Sequence, residues 1–234
     1  MNYYCSTFNF ARAFLSAPHR RRNLSSAATL LALFIPLAAY SQDASGELLD
    51  RAKKGDLDGL RTQLGKGTDV NAKNPDGRTA LMEAAFWGRA DAAKLLLEKG
   101  ADANGKDNED RTALIDAAGP GHLELVMALL EKGANPNAKN KEGSTALMEA
   151  ASNNRVEVVK ALLNKGANVD EKEKEGRTAL ILAANWGHAD AAQVLIEKGA
   201  NVNARDKYGY TALMYAKREN HPKVTELLTK AGAK

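Results

Sequence analysis

The sequence predicts an all-α solenoid in which pairs of short helices, joined by turns, stack one after another. Threonine recurs every 33 residues, and glycine recurs with the same period without an insertion. A unit this short cannot bury its own apolar surface, so the core must form between neighbouring units. The two columns are Thr79, Thr112, Thr145, Thr178 and Thr211, and Gly67, Gly100, Gly133, Gly166, Gly199 and Gly232.

Local signals place two helices in each unit. Each threonine precedes Ala-Leu and is typical of an N-cap, because its hydroxyl accepts a hydrogen bond from a free amide of the first helical turn. Paired alanines such as Ala84 and Ala85 allow neighbouring helices to approach closely. The recurring glycine ends the second helix, because it adopts the left-handed conformation of a C-cap without steric cost.

These units resemble the ankyrin repeat, a 33-residue unit of a β-turn and two helices with the motif Thr-Pro-Leu-His-x-Ala. The unit GRTALMEAAFWGRADAAKLLLEKGADAN is one example, and the resemblance covers Glu47 to Lys234. It implies an ankyrin-repeat solenoid with β-turn finger loops and a concave face that binds another macromolecule. The six units are a cap unit at 45–73, repeats at 74–106, 107–139, 140–172 and 173–205, and a C-terminal cap repeat at 206–234.

The sequence departs from the family pattern in two places. Ala and Met or Ile follow the capping threonine where the family has Pro and His, so apolar packing is expected to replace the histidine's hydrogen bond. In the third unit, Gly119-Pro120-Gly121 stands at the end of the first helix. Because proline lacks the amide that continues a helix, we expect that helix to end early and the unit to be locally less stable.

The terminal units are expected to cap the stack, since a solenoid needs polar outer faces at its ends. The polar residues concerned are Arg51, Lys53, Asp58 and Gln63 in the first unit, and Lys217, Thr225 and Thr229 in the last.

Residues 1–41 are predicted to be a signal peptide, which leaves 42–234 as the ankyrin-repeat domain. A basic cluster at 19–22 precedes an apolar stretch at 27–39, and small residues then favour cleavage after Ser41. The apolar stretch is shorter than the ~20 residues that span a bilayer, so no stable membrane insertion is expected after cleavage. The first interpretation is export to a bacterial periplasm, by the Sec or the twin-arginine route, and the alternatives are secretion or an organelle.

The charge distribution argues against a nucleic-acid partner. The formal net charge is +4, but Arg12 and Arg20–Arg22 are the only charged side chains before residue 42. Without them, 29 basic side chains face 29 acidic ones. A neutral domain lacks the basic footprint that binds phosphate backbones.

No pattern in the sequence predicts a catalytic, metal or cofactor site, so the chain is expected not to be an enzyme. His122, His188 and His221 are separated by 33 or 66 residues, a spacing that follows the repeat and not a metal polyhedron. Glu83, Asp116 and Glu149 recur in one column. At the ~8 to 10 Å spacing of packed helices they cannot form a close acid/base pair, so they are interpreted as a charged strip of the binding face or as solvated surface.

The aromatic residues predict where a partner binds. All six that follow residue 41 fall on finger loops or first helices, which in the ankyrin family line the concave face. Trp, Tyr and Arg are enriched at protein interfaces, although Trp186 and Tyr215 could instead cover a neighbouring repeat. The predicted binding residues are Arg78, Phe86, Trp87, Arg111, Arg177, Trp186, Tyr208, Tyr210 and Tyr215.

The function predicted from these features is protein binding by a monomeric, non-catalytic scaffold with an unidentified partner. A carbohydrate or cell-wall binding module is the alternative, because Trp and Tyr also stack on sugar rings. The aromatics form two groups, with Gly119, Pro120, Ser152 and Asn153 at the intervening positions. Groups so far apart favour a macromolecular partner over one small ligand.

Overall fold

The computed structural model describes residues 45–234, in which twelve helices form six antiparallel pairs. The predicted signal peptide and its cleavage site lie outside these residues. The odd-numbered helices are called inner helices and the even-numbered ones outer helices. The helices are α1 (45–54), α2 (Leu57–Gly65), α3 (Ala80–Phe86), α4 (Ala90–Glu98), α5 (Ala113–Ala118), α6 (Leu123–Glu131), α7 (Ala146–Ser152), α8 (Val156–Asn164), α9 (Ala179–Asn185), α10 (Ala189–Glu197), α11 (Ala212–Arg218) and α12 (Pro222–Lys230).

The recurring threonines cap the inner helices, which confirms the prediction. The hydroxyl of Thr79 accepts a hydrogen bond from the amide of Met82 at 3.3 Å. Such a cap contributes about 1 kcal/mol to helix stability. The same bond begins the inner helices at Thr112, Thr145, Thr178 and Thr211.

The recurring glycines end the outer helices, as predicted. Gly100 follows α4 with φ of 89°, in the left-handed region that a side chain disfavours. The amide of the next residue, Ala101, donates back to the carbonyl of Leu96 at 2.9 Å. This pairing turns the chain away from the helix and into the next finger loop.

Small side chains set the curvature of the stack. Ala84 and Ala85 are fully buried, as are the alanine pairs at the same positions of α5, α7 and α9. The inner helices contact one another more extensively than the outer helices do, because alanine allows closer approach than leucine. The inner helices therefore lie on the concave side. The residues that replace the family's histidine are also buried, at Met82, Ile115, Met148 and Ile181.

The inner helix of the third unit ends early, as predicted. It stops at Ala118, whereas α3 continues to Phe86, the position equivalent to Gly119. In the second unit the amide of Trp87 donates to the carbonyl of Glu83 at 3.1 Å. Pro120 occupies the equivalent position and has no amide to donate.

The terminal units expose most of the polar residues that were expected to cap the stack. Lys53 and Asp58 are exposed in the first unit, as are Lys217 and Thr229 in the last. The expectation was wrong for Gln63, whose side chain is buried. Its amide nitrogen donates to the carboxylate of Glu47. This hydrogen bond offsets the loss of hydration when the amide is buried.

Asparagine side chains join successive units in the loops that follow the outer helices. The side-chain oxygen of Asn137 accepts from the amide of Asn168 at 2.7 Å, and its nitrogen donates to the carbonyl of Gly166 at 3.1 Å. Asn71 and Asn104 make the same two bonds. Asp170 accepts from the amide of Asn201 at 2.9 Å, but its carboxylate has no hydrogen to donate to the next glycine carbonyl.

Candidate functional site

The predicted binding residues near the N-terminus form an exposed aromatic pair at the end of α3. The rings of Phe86 and Trp87 meet edge to face, with centroids 5.4 Å apart. The ammonium of Lys53, on α1, lies 5.0 Å from the centre of the Trp87 ring. These three residues are called the N-terminal patch. They border a cleft of about 340 Å³ that is also lined by charged side chains of the second and third units.

A second exposed group, the C-terminal patch, consists of Trp186, Tyr208, Tyr210 and Arg218. Trp186 is 61% exposed and Tyr208 64% exposed. The guanidinium of Arg218 lies 5.7 Å from the centre of the Tyr210 ring and borders the same cleft as Trp186. The hydroxyl of Tyr208 donates to Glu175 at 2.9 Å, which holds this ring at the tip of the last finger loop.

Between the two patches, the equivalent positions carry polar or small residues. Pro120 and Asn153 are exposed there. The side chains of Asn153 and Ser152 both donate to the carbonyl of Glu149, at 2.9 and 3.1 Å. The predicted separation of the aromatics into two groups is therefore present in the structure.

Tyr215 does not belong to the exposed surface, and its assignment to the binding face was wrong. Its side chain is only 9% exposed, and its hydroxyl donates to Asp206 at 2.7 Å. Burial and the hydrogen bond to Asp206 raise the pKa of Tyr215 to about 12. The hydroxyl therefore stays protonated, and the ring packs as part of the last unit's core.

Arg78 was predicted to contact a partner, but its side chain is mostly buried among carboxylates. Its nitrogens lie 2.7 Å from Glu83, 3.4 Å from Asp107 and 2.9 Å from Asp116. Burial opposes the charge of Arg78, but the hydrogen bond to Glu83 and the attraction of Asp116 outweigh it and raise its pKa. This arginine joins two units instead of facing a ligand.

Asp116 corrects the expectation that its column of acids is a solvated or partner-facing strip. The residue is only 1% exposed, and each carboxylate oxygen accepts from a different arginine. Arg111 contributes one of these bonds, at 2.8 Å, and also lies 3.6 Å from Glu149. The charged column is therefore bridged by arginines across three units.

Arg177 is held within its own unit. Its guanidinium donates to Glu173 at 2.9 Å, and the same carboxylate accepts the backbone amides of Glu175 and Arg177. Burial raises the pKa of Glu173, but these hydrogen bonds outweigh it, so the pKa lies below its usual value. The side chain of Arg177 is partly exposed, more than that of Arg78.

The histidines were predicted to be structural, and two of them confirm this directly. The Nε2 atoms of His188 and His221 lie 3.0 and 3.1 Å from the carbonyls of Ser152 and Asn185, at the ends of the preceding inner helices. Arg89 and Arg155 make the same type of contact at the same repeat position. Within residues 45–234, no cluster of three His, Cys, Asp or Glu side chains has the arrangement of a metal site.

Two residues of the patches were missed by the sequence prediction, Lys53 and Arg218. The 33-residue period could have identified them, because both occupy the repeat position of Phe86, in the first and last units. The sequence analysis assigned Lys53 only to the polar cap of the first unit, and Arg218 to no role.

Comparison with known proteins identifies the class of this solenoid. A family model described as "Ankyrin repeats (3 copies)" matches residues 48–140, 106–173, 121–206 and 147–234. The chain therefore belongs to the ankyrin-repeat family. Among solved structures, it is similar to an ankyrin repeat domain from Acinetobacter baumannii AYE, with 34% identity, a TM-score of 0.73, and coverage of 80% of this chain and 98% of that one.

A search of curated proteins gave no match. None of the helices in the described part of the chain has the length and apolar character needed to cross a membrane.

Proposed function

We propose that this protein is a non-catalytic scaffold that binds a protein partner through the ends of its inner helices and its finger loops. The observation that carries the proposal is the position of the exposed aromatics. Five of them, Phe86, Trp87, Trp186, Tyr208 and Tyr210, lie in the N- and C-terminal patches on inner helix ends and finger loops. Ankyrin repeats are in general protein interaction modules, and these aromatic rings are exposed in the stack.

The spacing of the patches supports a macromolecular partner. Trp87 and Trp186 occupy the same position three units apart, which corresponds to about 25 to 30 Å at the ~8 to 10 Å spacing of packed helices. A standard interface buries about 800 Å² on each partner and has a comparable width. One monosaccharide or small ligand cannot reach both patches, whereas a folded protein or an extended segment can.

Substitution of the two tryptophans tests this proposal. Trp87→Ala and Trp186→Ala should each weaken binding to the partner by on the order of 2 kcal/mol, as for buried aromatic anchors at interfaces. The partner is first isolated from a periplasmic extract by crosslinking and affinity capture. Its affinity for the wild type and for each variant is then measured. Leu123→Ala is the matched control, because Leu123 is an exposed apolar residue on outer helix α6.

The proposal fails if both tryptophan variants bind as tightly as the wild type. It also fails if either variant unfolds, because the aromatics would then be structural. Capture of a glycan that binds through one patch alone would instead support the carbohydrate-binding alternative.

The proposed place of action is the bacterial periplasm, after removal of residues 1–41. The basic cluster, apolar stretch and small residues before Gln42 support this. N-terminal sequencing of the exported protein should find a chain that begins at or near Gln42. A product that still contains Arg20–Arg22 would contradict both the cleavage and the location. Light scattering of the same product should show a monomer.

A further inference from the structure

One asparagine of the column that joins successive units is followed by glycine. The column includes Asn71, Asn104 and Asn137, whose side chains all bond to the next unit. Alanine follows Asn71 and Asn137, whereas Gly105 follows Asn104. This is the only Asn-Gly pair in the sequence. The chain therefore contains matched asparagines that differ at the next residue.

The fold does not require glycine at residue 105. The backbone of Gly105 lies outside the left-handed region, and a side-chain carbon added there would lie 3.4 Å from the carbonyl oxygen of Asp102, an ordinary contact. The amide of Gly105 donates to this carbonyl at 3.2 Å, and the amide of Ala138 donates to the carbonyl of Asn135 at 3.2 Å. Because alanine makes the same loop one unit later, the glycine matters for the chemistry of its neighbour and not for the turn.

Glycine after asparagine favours loss of the side-chain amide. The backbone nitrogen of the glycine attacks Cγ of the asparagine and forms a new C–N bond. The bond from Cγ to the side-chain nitrogen breaks, and that nitrogen leaves as ammonia with the proton of the backbone amide. Water then opens the succinimide ring at either carbonyl, which gives aspartate or isoaspartate. Glycine accelerates the attack because it has no Cβ to obstruct it and adopts the widest range of backbone conformations.

The surroundings of Asn104 allow this reaction. Asn104 is exposed and lines a cleft of about 530 Å³, so water reaches the ring that forms. The backbone amide of Asn135 donates to its Oδ1 at 2.7 Å, and a donor at this oxygen stabilises the negative charge that develops during the attack. The bond from its Nδ2 to the carbonyl of Gly133, at 3.0 Å, has to break first. Exposed hydrogen bonds of this kind break by local opening, without unfolding of the whole chain.

We propose that Asn104 is a site of spontaneous deamidation, and that its conversion weakens the joint between the second and third units. An aspartate at this position still accepts from Asn135 but has no hydrogen to donate to the carbonyl of Gly133. Asp170 is a natural example in the fourth unit, where it accepts from the amide of Asn201 at 2.9 Å. Isoaspartate disturbs the joint further, because it lengthens the backbone by one carbon.

Timed incubation of the purified protein in heavy-oxygen water at mildly basic pH, followed by digestion in ordinary water, tests the proposal. Trypsin releases the matching peptides 67–73, 100–106 and 133–139. Peptide 100–106 should exchange its side-chain nitrogen for heavy oxygen and yield both aspartate and isoaspartate, whereas the other two keep their amides. Gly105→Ala should slow the conversion at least about tenfold, which corresponds to about 1.4 kcal/mol in the activation barrier. Ala138→Gly is the reverse experiment and should make Asn137 reactive.

Urea unfolding of fresh and aged protein measures the effect on the joint. The aged wild type and fresh Asn104→Asp should both unfold at lower urea than the fresh wild type, whereas aged Gly105→Ala should keep its midpoint. Equal labelling of the three peptides, or no labelling of peptide 100–106, overturns the site. Conversion of Asn104 at an unchanged rate in Gly105→Ala overturns the role of the glycine. An aged protein that is converted at Asn104 but unfolds at the same urea concentration as the fresh one overturns the weakened joint.

Discussion

The guanidinium of Arg78, in the second unit, donates to the buried carboxylate of Asp116, in the third, at 2.9 Å. Arg111 satisfies the other oxygen of the same carboxylate. This buried carboxylate therefore ties two repeats together on their concave side. Without Asp116, Arg78 keeps Glu83 and Asp107, and Arg111 keeps Glu149, so the cost of breaking the arrangement is the loss of the two hydrogen bonds to the buried carboxylate.

Asp116→Asn is expected to destabilise the fold strongly. The amide keeps the shape but removes the charge that both arginines share, and its NH2 group cannot accept the hydrogen bond that one arginine donates, which costs about 1 to 3 kcal/mol at a buried site. The free energy of unfolding from urea titration measures the loss. Glu109→Gln is the control, because Glu109 is an exposed acid paired with Lys141 at 3.6 Å and should change stability by less than about 0.5 kcal/mol. Similar losses for the two variants would refute the distinction.

Tyr215→Phe should destabilise the last unit. The substitution keeps the packed ring but leaves one oxygen of Asp206 without the hydroxyl that donates to it at 2.7 Å. The expected cost is about 1 to 3 kcal/mol, since the carboxylate is buried. Tyr208→Phe removes a hydroxyl bonded to Glu175 on the surface and should have little effect on stability. Equal effects in denaturant titrations would mean that the burial of Asp206 does not matter.

Acid should weaken the fold through Asp206 and Glu173. Burial raises the pKa of Asp206, but hydrogen bonds from Tyr215 and two backbone amides outweigh it, so its pKa lies below the usual value. The pKa of Glu173 is lowered in the same way. A carboxyl whose pKa is lower in the folded state stabilises the fold fully above its unfolded pKa of about 4 and loses that contribution as the pH falls through the folded value.

The midpoint of urea unfolding is therefore expected to be constant near neutral pH and to fall below pH about 4. Asp206→Asn should lose part of this pH dependence, because the amide does not titrate. A variant whose midpoint falls as steeply as that of the wild type would show that Asp206 contributes nothing to it.

Asp170→Asn is expected to stabilise the stack. The new amide would donate to the carbonyl of Gly199, as Asn137 does to Gly166 at 3.1 Å, and one such bond contributes about 0.5 to 1.5 kcal/mol. Asn137→Asp is the reverse experiment and should cost a similar amount. Thermal unfolding measures both. Shifts of the same sign in the two variants would contradict the proposed role of the amide hydrogen.

The third unit should exchange its amide hydrogens faster than its neighbours. Pro120 removes the hydrogen bond that Trp87 and Trp186 make to the carbonyls of Glu83 and Leu182, so α5 opens with fewer bonds to break. Hydrogen exchange measured by mass spectrometry tests this. Pro120→Ala, which restores a backbone amide at this position, should slow the exchange. Uniform protection across residues 107–172 in the wild type would refute the prediction.

Much of the fold could be predicted because the signals are local. Thr79 caps α3 through a bond to a residue three positions away, and Gly100 ends α4 through its own backbone conformation. Repetition of such short-range features at a constant period is enough to give the number and order of the units. The exposed aromatics also followed, because their repeat positions lie on surfaces that stacking does not cover.

Within each column, only the tertiary structure decided which side chains are buried. Asp116 and Glu149 occupy the same repeat position, yet Asp116 is 1% exposed and hydrogen-bonded to two arginines, whereas Glu149 is 28% exposed and lies 3.6 Å from Arg111. Tyr210 and Tyr215 are five residues apart, and only Tyr215 faces Asp206 and the core. The sequence by itself determined the repeat, its caps and its helices, since these depend on neighbours along the chain. The burial of individual charges and rings depends on neighbours in the adjacent units, which only the packed stack brings together.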